Sequence, residues 1–90
     1  MADDTKRGIL MIAGVNEALK YRKEHQAVSD EEIMKHIMQF LRDENIKKYQ
    51  VDIIASVAHA LKIVAREPHI KDKEVLDRIM KEIPSLTIEN

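Results

Sequence analysis

Apolar residues along this chain recur every three or four positions and almost never alternate, which is the period of helices and not of strands. From about Asp4 to His25, the residues Leu10, Met11, Ile12, Gly14, Val15, Ala18, Leu19 and Tyr21 fall on one arc. At 100° per residue that arc is about 200° wide, with Asn16, Glu17, Lys20, Lys23 and Glu24 opposite it. A second helix is predicted to open at Ser29. Its hydroxyl can accept from a free amide of the first turn while Glu32 reaches back, a capping box flanked by the staple pair Val28 and Ile33. Ile33, Met34, Ile37, Met38, Phe40 and Leu41 form its apolar face, which runs out near Asp43.

The pattern then repeats. Asn45 reads as the cap of a helix from about Ile46 to Arg66, burying Ile53, Ile54, Val57, Ala60, Leu61, Ile63 and Val64. Pro68 stops it, because a residue before proline avoids the helical region. Asp72 reads as the cap of a last helix, Lys73 to Ile83, with Val75, Leu76, Ile79, Met80 and Ile83 inward. Pro84 is expected to end that helix, leaving residues 84–90 as a short tail whose Leu86 and Ile88 pack back.

Sliding the chain by 42 positions lays residues 9–41 over 51–83 without a gap, and ten of the 33 pairs are identical. Helices in phase explain the apolar matches. They do not explain Lys20/Lys62, Asp30/Asp72 or Glu32/Glu74, so the reading is a duplicated helical hairpin. The expected fold is therefore all-α: four helices in two sequence-related hairpins, packed as one compact bundle-like domain over residues 1–90. A stripe of small residues sits at the same place in both long helices, Gly14 and Ala18 in one, Ser56 and Ala60 in the other. Such a stripe lets two helix backbones approach closely, either within the chain or between two copies.

Ninety residues and 10.4 kDa bound the chain to one domain with a modest core. Fifteen Lys and Arg against sixteen Asp and Glu give a net charge of −1, without the basic excess typical of nucleic-acid binders. Tyr21, Phe40 and Tyr49 are the only aromatic residues, too few to make stacking platforms for bases. With no cysteine there is no disulfide framework and no thiolate metal site. The longest apolar run, Ile9 to Val15, falls far short of a membrane span, and the acidic opening segment lacks the order of a secretory leader. A cytoplasmic protein with no membrane association is the expectation.

The candidate chemistry is thin. His59 falls on the polar side of its helix and reads as solvated, His25 and His69 lie near loops, and His36 follows Glu32 by four residues as a surface pair. No histidine has a glutamate three residues before it, as a di-iron bundle requires, and no phosphate-binding glycine loop or calcium loop occurs. Ser29 is committed to capping, Ser56 to packing, and Ser85 lies in the tail. The sequence thus predicts no enzyme, no cofactor and no metal.

What it favours is a protein-interaction module that self-associates, with a dimer preferred, through apolar edges of the long helices. The candidate interface is Leu10, Gly14, Ala18, Tyr21, Ser56, Ala60 and Ile63, and methionines on the shorter helices would make an adaptable surface if exposed. The alternative is a small dimeric helix-turn-helix-like regulator contacting nucleic acid through Arg22, Lys23, Arg42, Lys47 and Lys48. Two features disfavour it: Asp30, Glu31 and Glu32 open the second helix, and the basic residues come in pairs. Whether those five cations gather on one face is the discriminating observation.

Overall fold

A computed structural model describes the backbone of residues 2–25 and 27–86, with side chains from 6 to 82 apart from residue 26. These residues form α1 (Ala2–Glu24), α2 (Asp30–Asp43), α3 (Gln50–Arg66) and α4 (Asp72–Leu86), with no strand among them. The all-α expectation holds. The radius of gyration, 12.5 Å, is close to the ~12 Å expected for a compact chain of this length.

Local chemistry explains most boundaries. The Ser29 hydroxyl accepts from the Glu32 amide (3.1 Å) and the Glu32 carboxylate accepts from the Ser29 amide (3.2 Å), so the predicted capping box closes. Its staple residue Val28 is half-buried against the core, with Ile33 inside it. At the other end of α2 the reading of Asn45 is overturned. Asn45 adopts φ 57 and ends α2 instead of starting α3: its amide reaches the Arg42 carbonyl (3.1 Å) and the Ile46 amide reaches the Leu41 carbonyl (2.8 Å). This is a Schellman turn, and asparagine suits its left-handed position nearly as well as it suits a cap. The chain needs residues 46–49 to turn, so α3 starts at Gln50, and Tyr49 before it makes no side-chain cap bond.

Helix α3 stops at Arg66, where Glu67 before Pro68 swings to ψ 78, as expected of a residue preceding proline. Asp72 is the first residue of α4 and not its cap, since Val75 donates to the Lys71 carbonyl (3.1 Å). Pro84 does not end α4, which continues to Leu86. A proline costs a helix the amide bond one turn back, and at the last turn that leaves only one carbonyl to find another partner. The side chains of Ile83, Leu86 and Ile88, expected to pack inward, lie outside the described residues.

The helices alternate in direction. Arg7 of α1 meets Asp52 of α3 (3.8 Å), so these two helices start at the same end, and Lys23 at the far end of α1 pairs with Asp72 at the start of α4 (3.2 Å). The arrangement is a four-helix square collapsed along one diagonal into a rhombus. Helices α1 and α3 share the largest interface, α2 and α4 each lean on both of them, and α2 and α4 do not meet among the described residues. The small-residue stripe permits the collapse: a methyl added to Gly14 would lie 2.5 Å from Ile53 Cγ2, and Ala18, Ser56 and Ala60 are fully buried beside it. The Ser56 hydroxyl donates to the Asp52 carbonyl one turn back (2.9 Å), so it is buried without losing a hydrogen bond. Met11, Val15 and Leu19 of α1 join Ile33, Ile37 and Leu41 of α2, Ile53 and Val57 of α3, and Val75 and Ile79 of α4 in one core.

Candidate functional site

The stripe is an intramolecular seam. Gly14, Ala18, Ser56 and Ala60 are buried where α1 crosses α3, and Ile63 is 8% exposed, so five of the seven candidate interface residues face the interior of a single chain. Leu10 and Tyr21 stay half-exposed. Tyr21 is already occupied: its ring stacks between those of His25 (4.1 Å between centroids) and His36 (4.0 Å). His36 also reaches Glu17 Oε2 (2.6 Å), tying α2 to α1, while Glu32 is engaged in the capping box; the expected Glu32–His36 pair is not formed. His59, expected to be solvated, keeps 31% of its side chain exposed but buries its Nε2. It crosses to α4, with Nε2 2.5 Å from Glu82 Oε1 but off the hydrogen-bonding direction.

The five candidate nucleic-acid contacts do not converge. Arg22 and Lys23 flank the α1–α2 turn beside Ala27 and Val28. Lys47 and Lys48 lie at the opposite end, sharing a hollow with Lys6, Leu10 and Tyr49, and Arg42 ends α2 near Lys47. From Leu10 to Lys23 along α1 is ~20 Å, so the cations form two separate groups.

A partly apolar groove lies between α2 and α3, the pair of touching helices with the smallest interface; the most exposed large apolar side chains, Ile9, Val51 and Met80, lie outside it. One end of this groove is a hollow of about 320 Å³ lined by Asp30, Glu31 and Met34 of α2 and by Ala58, Leu61, Lys62 and Ala65 of α3. A second hollow, about 220 Å³, lies nearer the end of α2, lined by Met38, Leu41 and Arg42 with Ile46, Lys47 and Gln50. On α2 these positions recur at three and four residues, so they occupy one face of the helix. Met34 and Met38 are both half-exposed on that face, and the Gln50 amide makes a long contact to the Met38 sulfur (3.7 Å). Helix α2 packs more on α1 than on α3, which leaves the groove on its α3 side.

The rims differ in charge. Among the described residues Asp30 and Glu31 meet no cation and Lys47 meets no anion; Arg42 donates to Gln39 Oε1 (2.9 Å), and Gln39 in turn donates to Asp43 (2.8 Å). A two-bonded ion pair lies away from the groove, where the Arg78 guanidinium grips both oxygens of Glu67. Its hydrogen bond holds the Glu67 carboxyl below the ordinary 4.5 and raises Arg78 in return. No group of three or more metal-ligating side chains occurs among the described residues, and no helix there is long and apolar enough to cross a membrane.

The signals that could have located the groove were the methionines at helical spacing on α2 and the alanines facing them on α3. No protein-family model, curated protein or solved structure matches the chain.

Proposed function

We propose that this protein is a non-enzymatic helical interaction module of the cytoplasm that self-associates through the groove between α2 and α3. The observation carrying the reading is the pair of hollows along the α2–α3 seam, one with Met34, Ala58 and Leu61 in its lining and the other with Met38, Leu41 and Ile46. An apolar groove between two helices is a receptor for the apolar face of a third, and methionine adapts to such partners without a fixed shape. The binding surface is thus moved from the edges of the long helices, where Tyr21 is already sandwiched, to the face of α2.

Sedimentation equilibrium from low to high micromolar concentration tests this. The unaltered chain is expected to form a dimer, and Met34→Glu, which sets a carboxylate in the trough at an already half-exposed position, to remain monomeric with its helix content intact. A chain that stays monomeric throughout, or a Met34→Glu variant that dimerises as well as the original, overturns the reading.

A further inference from the structure

The groove face of α2 is electrically lopsided. Asp30 and Glu31 stand at its first turn, Arg42 at its last, and Lys47 just beyond. Lys62 of α3 lines the same hollow without bonding either carboxylate, so the charges there sum to −1, against two positive charges about 20 Å away along α2. Between them the hollows are lined on α2 by Met34, Met38 and Leu41, with Lys35 exposed at the edge of that face. A surface with that sequence of features complements itself when turned end for end. The helix dipole favours the same placement, since two helices side by side attract when their opposite ends adjoin.

Given that the groove is the self-association surface, we propose that its occupant is α2 of a second copy, laid antiparallel to its mate across a two-fold axis between Met34 and Met38. In this register Met34 of each copy meets Met38 of the other, and Asp30 meets Arg42, because the residue numbers of both pairs have the same mean. Glu31 and Lys47 flank the ion pairs. The interface is isologous and closes at two copies, so it does not propagate into a filament. The ends of the groove carry charges without close opposite partners in the single chain, and pairing supplies them.

The test exchanges the charges. Asp30→Lys alone or Arg42→Glu alone sets like charges at both ends of the pairing, and the dimer dissociation constant is expected to rise roughly tenfold. An equimolar mixture of the two variants restores attraction at both ends, so heterodimers form preferentially and the affinity returns. Sedimentation equilibrium reads the affinity, and native mass spectrometry with one variant isotopically labelled reads the composition. The double variant Asp30→Lys/Arg42→Glu should dimerise like the original, which also shows that the exchanges do not act by unfolding α2. Two results overturn the register while sparing the groove: single variants as tightly paired as the original while Met34→Glu stays monomeric, or a mixture with no preference for heterodimers. A monomeric original chain overturns the groove reading and the register together, and hands the trough to a different protein.

Discussion

Replacing Gly14 with alanine should force the two long helices apart. The added methyl would stand 2.5 Å from Ile53 Cγ2, more than an ångström inside the separation at which two carbons rest comfortably. Ile53 cannot swing away. Its methyl branches from the first side-chain carbon, a β-branched residue in a helix keeps essentially one rotamer, and this one is fully buried. The strain therefore falls on the α1–α3 spacing and on every small residue below it in the seam. Alanine brings a helix-propensity gain of about 1 kcal/mol over glycine. Overpacking in a tight core costs about 1–3 kcal/mol. A net loss of up to about 2 kcal/mol remains, or roughly 4–8 °C in Tm for each kcal/mol in a chain of this size. Urea denaturation followed by circular dichroism measures it, with Asn16→Ala on the exposed side of α1 as the propensity control, expected to gain roughly 0.5 kcal/mol. If Gly14→Ala were instead stabilised by the propensity gain, the helices would not be in close contact there, and the rhombus would lose its cause.

Two further outcomes follow from single residues. Ala27 turns the chain between α1 and α2 at φ 64, a left-handed conformation that costs a residue with a Cβ about 1–2 kcal/mol, so Ala27→Gly should raise Tm by several degrees in a thermal scan. Arg78 lowers the Glu67 pKa through its hydrogen bond, so the folded chain takes up that proton less readily than the unfolded one. The stability this pair contributes is fully present above the ordinary carboxylate value of 4.5 and is lost as pH falls through the lowered folded value. The original chain should therefore lose Tm more steeply than Glu67→Gln as pH is taken from neutral to below 4.5, and equal slopes would contradict the pairing.

The features that were legible in the sequence are those decided within a few residues. Ser29 and Glu32 form their capping box because both partners lie on one turn, and Pro68 stops α3 through its neighbour's backbone alone. Asn45 misled for a related reason: asparagine favours both the start of a helix and the left-handed turn at its end, and only the carbonyls of Leu41 and Arg42 decide between them. Pro84 misled because a helix tolerates a proline when few residues follow it. The stripe of small residues was visible, but whether it met a neighbour in the same chain depended on how four helices pack. The charge partners of His36 and His59 lie nineteen and twenty-three residues away, on other helices, where no local spacing rule reaches. The groove was least legible of all, since it is made by the absence of contact between α2 and part of α3.

The collapsed diagonal divides the molecule into two flanks on a common spine. Because α2 and α4 do not touch among the described residues, a change on one flank reaches the other there through the α1–α3 seam, which is closely packed at Gly14 and leaves little room for adjustment. Substitutions on the groove face of α2 and on the outer face of α4 should then combine additively, as separated sites do. The α2 flank is thereby free to change its surface, and with it the identity of whatever it pairs with, while the ion pairs that fasten α4 are undisturbed. One half of the protein can be rewritten without consulting the other.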